Sequence, residues 1–426
     1  MAEVPPASLS QAQSDILPQY AADAAFLWLL REQAVRAPHY TLAELIRLDE
    51  RIEAQLDGLR VAGNDGWEAA QQELEWEEPG EVFVAAVPAF ESDDMARIQP
   101  VLTLARESHE LERGLIAALA WIPYRKVALR INQLAAAQTA DLRRIGIAAA
   151  ACHRQDPGRP LDDSLDSDDP RLRARALRAA GQLRRTDLLS AIRKRKTDED
   201  ESCRFSAAWS AALLGDRSLV PVLQSVAMGD SPLAAAAMDM ALRCLDLPQA
   251  HAWRKEIAAD SQRAREAVMA ASIIGDPILT PELIDRMSDP ALARLAGESF
   301  TSITGIDLEQ AKLTGQPPPE SNAGPTDSPE DENVAPDPDE NLPWPDPVLV
   351  QDWWNKHRQQ FPVGTRHLLG QPMTTASLTQ VLREGRQCQR IAAALESVLL
   401  DPKGRTPLFE TRAPGLRQQR ILEKES

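Results

Sequence analysis

The side chains able to do acid–base, nucleophilic or metal chemistry are few and scattered in this chain of 426 residues. Cys152 and His153 are adjacent and have the types of a nucleophile and its base. Neighbouring residues of a helix point in different directions, so the pair is predicted to pack and not to react. The histidines and cysteines are His39, His109, His153, His251, His357, His367, Cys152, Cys203, Cys244 and Cys388.

Metal, nucleotide and acyl-transfer motifs are missing from the sequence. His109-Glu110 is its single His-Glu pair, whereas a di-iron site needs several such pairs. The chain has no GxxxxGK[ST], GxGxxG, HExxH or GxSxG motif and no zinc-like cysteine spacing. The acidic stretch 314–347 lacks the spacing of a calcium loop, so its charge is predicted to be solvated. We therefore predict no catalytic residue, no metal ligand and no cofactor.

Four arginines within eight residues, Arg171, Arg173, Arg175 and Arg178, raise the alternative of a basic helix for nucleic acid. On a helical wheel an apolar arc faces away from most of them, which predicts an amphipathic helix with a solvated arginine face. Asp169 is expected to cap its start. The apolar arc is Leu172, Ala176, Ala179, Ala180 and Leu183. The formal net charge of −17 further argues against a nucleic-acid partner.

The same helix start recurs with a period of about 30 residues, followed each time by a short turn and a second apolar helix. The starting aspartates are Asp169, Asp200, Asp230, Asp260 and Asp289, and the anchors near the helix ends are Leu183, Leu214, Cys244, Ile274 and Thr304. This pattern predicts an all-α fold, an α-solenoid of HEAT-like helix pairs. Arg173 and Arg204, at equal positions of two repeats, are predicted to make contacts between repeats.

The sequence divides into four predicted parts: a helical N-terminal cap over 1–80, the solenoid over 81–313, an acidic proline-rich linker over 314–347, and a small α-rich basic module over 348–426. In the cap, Thr41 and Glu44 form the pattern of a capping box. A buried stripe is predicted at Leu42, Leu45, Leu48, Ile52, Leu56 and Leu59. Residues 404–422 are expected to be loop or strand.

Charge is concentrated at the two flanks of the repeats. Residues 1–94 hold 19 acidic and 5 basic side chains, and residues 314–347 hold nine acidic ones and ten prolines. The acidic face of the cap either keeps the end of the solenoid soluble or serves as a docking surface. The linker is predicted to be extended or disordered. Apolar side chains in and after it are predicted to dock the tail onto a folded surface: Leu342, Trp344, Trp353 and Trp354.

The sequence also favours one cellular compartment. The scattered cysteines are typical of free thiols in a reducing environment. The first residues, "MAEVPPASLSQAQSD", lack the basic and apolar segments of a secretion signal. Apolar runs such as "AAFLWLL" are far shorter than the roughly 20 residues of a membrane span. A soluble cytoplasmic protein without a membrane partner is expected.

Segments outside the repeats carry a resemblance to a known family. "AAFLWLLREQAVRAPHYTLAELIRLDERIEAQLDGLR", "EWEEPGEVF", "WIPY", "DENLPWPDP", "FPVGTRHLLGQP" and "PLFETRAPGLRQQR" resemble a bacterial family with phycobilisome-lyase-like HEAT repeats, often encoded among type VI secretion genes. The resemblance implies a cytoplasmic accessory role near that secretion system, as adaptor or chaperone. The family has no established catalytic residues to transfer to this chain.

Two classes of function stay open at the level of the sequence. The first is a non-enzymatic scaffold or adaptor that binds another protein, such as a secretion component or effector. The second is an enzyme or ligand carrier of the HEAT-like lyase type, with a pocket between the solenoid and the C-terminal module. The scattering of reactive side chains favours the scaffold.

Overall fold

A computed structural model describes residues 16–318, 337–401 and 407–424. Within these ranges nearly all regular structure is helical. The strands of the described residues are β1 (His367–Leu368) and β2 (Gln371–Pro372), which pair antiparallel with His367 opposite Pro372. The prediction of an all-α fold built from helix pairs is confirmed.

The chain folds into two compact units. Unit 1 comprises Met1–Ser210 and Phe409–Ser426, and unit 2 comprises Ala211–Leu408. The segment 348–426, predicted as one module, contributes residues to both units. The predicted disorder of the linker concerns residues 319–336 above all, and these lie outside the described residues.

The helices of unit 1 begin with a cap and continue as stacked pairs. They are α1 (Leu17–Ala34), α2 (Leu42–Ala62), α3 (Asn64–Glu73), α4 (Pro79–Ser92), α5 (Met95–Ala105), α6 (His109–Trp121), α7 (Tyr124–Ala135), α8 (Ala140–Cys152), α9 (Arg159–Ser164), α10 (Pro170–Gln182), α11 (Leu189–Lys194) and α12 (Glu201–Leu213), whose last residues belong to unit 2. The final helix of the chain, α22 (Gly415–Lys424), also belongs to unit 1.

Unit 2 continues the repeats and then carries shorter C-terminal helices. Its repeat helices are α13 (Val220–Ala227), α14 (Ala234–Cys244), α15 (Leu247–Ala258), α16 (Ala264–Ile274), α17 (Thr280–Arg286) and α18 (Ala293–Thr304). The later ones are α19 (Pro347–His357), α20 (Thr375–Glu384) and α21 (Gln387–Leu399).

The capping box and the buried stripe near the N-terminus form as the sequence predicts. Thr41 accepts from the Glu44 backbone N–H, and the Glu44 carboxylate accepts from the Thr41 backbone N–H at 2.8 Å, which completes the capping box. All six residues of the predicted stripe are buried. The core of this end holds Trp28 stacked on Phe83, with their ring centroids 5.4 Å apart.

The helices of unit 1 pack closely because small residues stand where backbones meet. A Cβ atom on Gly114 would lie 2.1 Å from the carbonyl oxygen of Pro79, and one on Gly146 would lie 2.1 Å from the nitrogen of Ala135. Any larger residue at either position forces a neighbouring helix away.

Capping by aspartate holds at four of the five repeats. Asp169 accepts from Leu172 N–H at 2.9 Å and Asp200 from Cys203 N–H at 2.8 Å, while Asp260 and Asp289 cap short turns before their helices. The structure gives no such bond to Asp230. There α14 begins four residues later, and Ser231 Oγ accepts from Leu233 N–H at 3.0 Å.

The expectation of loop or strand over 404–422 is wrong for its last part, which forms α22. The helix buries Gly415, Gln418 and Leu422, at helical spacing. Glycine and glutamine are not counted as apolar when a sequence is searched for helical periodicity. The buried face of this helix therefore could not be predicted from the pattern of apolar residues.

Candidate functional site

The Cys152–His153 pair packs and does not form a dyad. Burial raises the pKa of the Cys152 thiol, which keeps it protonated. His153 Nε2 lies 2.8 Å from the carbonyl oxygen of Leu119, and its ring packs against Tyr124. Burial lowers the pKa of His153 to about 4, so the imidazole is neutral. These contacts of His153 agree with the packing interpretation.

The other cysteines are buried from water or partly so, and two further histidines contact neighbouring side chains. All four cysteines are free thiols, and burial raises the pKa of Cys203, Cys244 and Cys388 to about 12. His251 Nε2 lies 2.9 Å from Asp276, and the His357 ring stacks on Trp353. Across the described part of the chain, no group of three or more His, Cys, Asp or Glu residues is arranged to hold a metal ion. No described helix has the length and apolar character needed to cross a membrane.

Arg173 makes the predicted contact between repeats. Its Nε and Nη2 donate to the two Asp198 oxygens at 2.8 and 2.9 Å, and Asp198 precedes the first helix of the next repeat. Arg204 differs, because its Nη1 donates to the carbonyl oxygens of Asp198 and Glu199 at 2.8 and 2.9 Å, next to its own helix. The two arginines occupy the same position in their repeats, but they make different contacts.

The prediction of a solvated arginine face is wrong for Arg175 and Arg178. The Arg178 guanidinium lies 3.3 Å from the ring centroid of Trp209, and 5.7 Å from that of Phe205. Arg175 donates to Gln182. Burial lowers the pKa of both arginines, that of Arg178 to about 9. The cover of Arg178 comes from aromatic residues of α12, which a wheel of α10 alone cannot show.

The residues predicted to dock the tail lie in unit 2 on the chain's own repeats. Arg294 Nη1 donates to the Asp339 carbonyl oxygen at 2.9 Å, and its guanidinium also pairs with Asp337. The Trp344 ring lies 4.9 Å from the same guanidinium, and Leu342 is buried. Trp353 and Trp354 pack edge-on against the same residue, Phe300.

Residues 337–342 occupy the place of a following repeat. Arg294 stands as far before its anchor Thr304 as Arg173 stands before Leu183. In both cases the arginine pairs with the first aspartate of an Asp-x-Asp turn. The turns match: Asp339 N–H donates to Asp337 Oδ1 at 2.9 Å, and Asp200 N–H donates to Asp198 Oδ1 at 3.1 Å. Sequence reasoning missed this pairing, although "DED" and "DPD" carried the signal.

An open groove of about 600 Å³ lies between α3 and α5 in unit 1. We call it the Trp76 groove, after the tryptophan that follows its lining residue Glu75. The Trp76 side chain is 71% exposed. It ends a 3₁₀ turn over Leu74–Trp76, after which Glu77 adopts a left-handed backbone with φ 53°. The lining residues are Glu68, Gln71, Gln72, Leu74, Glu75, Pro100 and Leu104.

Glu73, Glu78 and Glu81, close in sequence to the groove residues, lie near one another. Burial, and then the charge of Glu81, raises the pKa of Glu73. Burial also raises the pKa of Glu81, with the charge of Glu78 as a smaller cause. Glu81 Oε2 is buried and has no hydrogen-bond partner among the described residues. A cation placed here would relieve this repulsion. The sequence showed the acidity of the cap but not the groove.

The comparison with known protein families identifies the repeats. A model of HEAT repeats matches residues 159–243, which include α9 to α14 and the pairing of Arg173 with Asp198. No curated protein matches the chain significantly. The chain thus contains HEAT-like repeats, as the 30-residue period predicted.

Proposed function

We propose that the protein is a non-enzymatic scaffold or adaptor that binds another protein. The observation that carries the proposal is Trp76, whose side chain is 71% exposed and which follows the groove-lining residue Glu75 in the sequence. Tryptophan is enriched among the residues that dominate protein interfaces. Repeat proteins of this kind present extended surfaces to partner proteins.

Burial of this side chain by a partner is worth a substantial free energy. A tryptophan buries about 200 Å². At about 25 cal/mol per Å², covering the 71% that is exposed gives a gross hydrophobic free energy of about 3.5 kcal/mol, from which the entropy lost on association is subtracted.

We propose further that the partner is a component or effector of type VI secretion and that the complex forms in the cytoplasm. This part rests on the resemblance of the flanking segments, of which "EWEEPGEVF" contains Trp76 itself. We propose that Leu342, Trp344, Trp353 and Trp354 dock the tail within the chain itself. The contacts of the three tryptophans with Arg294 and Phe300 and the burial of Leu342 support this proposal.

The test is affinity purification of the tagged full-length chain from its native host, read by quantitative mass spectrometry. A partner enriched by the wild type should fall at least about tenfold with Trp76→Ala, which corresponds to about 1.4 kcal/mol. Leu129→Ala is the matched control, because Leu129 is 62% exposed but lies on α7, away from the lining residues. Equal recovery with Trp76→Ala and wild type would remove the basis of the proposal.

A further inference from the structure

We propose that the surface of α10 around Arg175 and Arg178 binds carboxylate groups of an acidic segment of the partner protein. The proposal rests on the scaffold function above and adds a second contact surface, together with the chemistry of the group that it binds. We call it the Arg178 surface and define it by Arg175, Arg178 and Gln182 of α10 and by Trp209 of α12.

Arg178 offers hydrogen-bond donors that lack an acceptor. Its guanidinium lies 3.3 Å from the ring centroid of Trp209, and that tryptophan is buried. Within the described residues, Arg178 contacts aromatic rings and donates to no oxygen. Attraction to a ring fixes the position of a guanidinium but satisfies none of its N–H groups. These donors are therefore available to an oxygen ligand.

Arg175 places a second cation beside the first. It donates from Nη2 to Gln182, while its Nε is buried and has no hydrogen-bond partner in the described structure. Burial lowers the pKa of Arg178 most, and the charge of Arg175 lowers it further, so the two guanidiniums repel each other. Repulsion between two cations and a buried donor without an acceptor both favour an anion at this place.

The carboxylates that unit 1 itself brings near this surface are Glu410 and Glu112. Glu410 Oε2 lies 3.8 Å from Arg154 Nη2, and Glu112 accepts from Arg144 Nε at 2.8 Å. Neither carboxylate accepts a hydrogen bond from the two arginines of the Arg178 surface. Within the described part of unit 1, these two guanidiniums therefore have no directly bound counter-charge.

The equivalent surface of a repeat in unit 2 already binds a helix through a carboxylate. Arg178 stands nine residues after the starting aspartate of its repeat, and Asp239 has the same position in the repeat of α14. Arg243, at the position that Gln182 has in α10, donates from Nη1 to Glu396 Oε1 of α21 at 2.8 Å. Both side chains of this ion pair are 6% exposed. In unit 2 a helix thus brings a glutamate to an arginine on this surface.

Helix α21 also contacts a second repeat at the same position. Cys388 Sγ of α21 lies 4.0 Å from Glu298 Oε1, and Glu298 again stands nine residues after the starting aspartate of its repeat. The contacts at Glu298 and Arg243 show that α21 lies along the surface formed by α14 and α18. This surface of the repeats is therefore suited to bind a helical segment, and α10 with α12 forms its counterpart in unit 1.

Carboxylate is the group that the repeat arginines bind within the chain. A guanidinium matches the two oxygens of a carboxylate with two parallel N–H groups. The formal net charge of −17 disfavours a long polyanion such as nucleic acid, whose charge extends beyond the Arg178 surface. A short segment with one or two carboxylates places its charge at this surface alone. The pairs within the chain are Arg173 with Asp198, Arg254 with Glu282 and Arg294 with Asp337.

The experiment measures binding of a defined probe to the full-length protein by fluorescence anisotropy. The probe is a synthetic helix of alanine, leucine and glutamate about four turns long. Its counterparts are the same peptide with lysine in place of glutamate and a single-stranded DNA oligonucleotide of equal negative charge. The glutamate peptide should bind and the lysine peptide should not. Arg178→Gln should weaken binding of the glutamate peptide about tenfold, and Arg175→Gln should have a similar effect.

Arg171→Gln is the matched control, because Arg171 is an exposed arginine of the same helix and its loss removes the same charge. It should change the affinity less than about twofold. Arg178→Lys keeps the charge without the planar fork, so it should weaken binding less than Arg178→Gln does, and urea unfolding shows that each variant is folded. Equal weakening by Arg178→Gln and Arg171→Gln, or an oligonucleotide that binds as tightly as the glutamate peptide, would overturn the proposal.

The scaffold function and the Arg178 surface can fail separately. Loss of capture with Trp76→Ala in the native host, together with equal peptide binding by Arg178→Gln and wild type, would leave the scaffold function standing and overturn the Arg178 surface. Capture that is unaffected by Trp76→Ala, together with weaker peptide binding by Arg178→Gln alone among the exposed and buried arginine variants of α10 at positions 171 and 178, would support the Arg178 surface and remove the basis of the Trp76 proposal.

Discussion

At the scale of single residues, a few buried ion pairs hold distant segments of the chain. Arg31 and Asp49 are both buried, and Arg31 Nε donates to Asp49 Oδ1 at 2.5 Å. Arg31 Nη2 also donates to the carbonyl oxygens of Arg412 and Ala413, and Asp49 accepts from Gly415 N–H at 2.6 Å. Because every partner is hydrogen-bonded, the pair fixes the C-terminal segment of unit 1 in place.

Asp49→Asn should destabilise unit 1 by about 3 kcal/mol, because the Arg31 guanidinium then stays buried without its counter-charge. Hydrogen exchange of the amides in α22 should rise together with the loss of unfolding free energy. Asp163→Asn is the control: its partner Arg159 is 89% exposed, so the change should stay within about 0.5 kcal/mol. An Asp49→Asn protein as stable as wild type would show that the pair does not hold the segment.

His153 should make stability fall with acidification. Its pKa is lowered from 6.5 to about 4 in the folded protein, so the unfolded chain takes up the proton first. The contribution of the neutral imidazole is complete above pH 6.5 and is lost as the pH falls toward 4. Comparison of His153→Gln with wild type by urea unfolding across this range should show a flatter profile for the variant. Parallel profiles would contradict the assigned burial.

The contribution of Glu298 to stability should change with pH in the opposite direction, because it is lost as the pH rises. Burial raises its pKa to about 7, with the charge of Asp307 adding to the rise and that of Arg386 opposing it. A raised carboxyl pKa gives stability that is complete below the unfolded value near 4.5 and is lost as the pH rises through 7. Glu298→Gln should therefore raise the unfolding free energy at pH 8.5 by about 2 kcal/mol and leave it nearly unchanged at pH 5. A variant less stable than wild type at pH 8.5 would refute this.

At the scale of elements, the end of the repeats is closed by a turn from later in the chain. Arg265 also takes part, since its Nη1 donates to Asp339 Oδ2 at 2.8 Å. The last repeat helix α18 would otherwise leave Arg294 without the aspartate that Arg173 finds in the next repeat. Residues 337–342 supply it, at a cost in loop closure that grows only slowly with loop length.

Arg294→Ala should release this turn. The side chains of Arg294 and Asp337 are about one tenth exposed, so loss of the pair should cost about 3 kcal/mol locally. Hydrogen exchange at the amides of Asp339 and Leu342 should accelerate at least tenfold, while the amides of α10 keep their protection. Unchanged exchange at Leu342 would mean that apolar burial alone holds the turn.

The elements that could be predicted are those whose signals are local. The Thr41–Glu44 capping box, the stripe of α2 and the repeat period each depend on residues close in sequence, and they appear as expected. Contacts between residues that are distant in sequence could not be predicted from such local patterns. Trp209 over Arg178 and Asp337 on Arg294 depend on how neighbouring repeats stack, which no helical wheel encodes.

At the scale of the whole molecule, the domain boundaries and the groove also depend on contacts between residues that are distant in sequence, and local sequence patterns do not predict such contacts. The predicted parts were drawn from composition, and a composition shift at residue 347 says nothing about where a segment packs. Residues from beyond it contribute to unit 1 as well as to unit 2. The Trp76 groove forms only because α3 and α5 lie side by side. The sequence showed the acidic residues and the tryptophan of this region, but not the groove.

A nick in the acidic linker should leave the two fragments associated. Its prolines and acidic residues make the stretch between Thr314 and Pro338 the expected first site of proteolysis. The C-terminal fragment is then held by Arg294 within unit 2 and by the Arg31–Asp49 pair within unit 1. The fragments should co-elute in gel filtration and separate only in denaturant. A C-terminal fragment that elutes alone would contradict these contacts.

The central claim is that the protein acts by binding another protein through a surface and not through a reactive side chain. The most direct measurement is rescue of a deletion strain by two full-length variants that fold as the wild type does, Trp76→Ala and Cys152→Ser. The account predicts that Cys152→Ser restores the wild-type phenotype and that Trp76→Ala does not. Rescue by Trp76→Ala together with failure of Cys152→Ser would contradict it and would establish chemistry at the thiol.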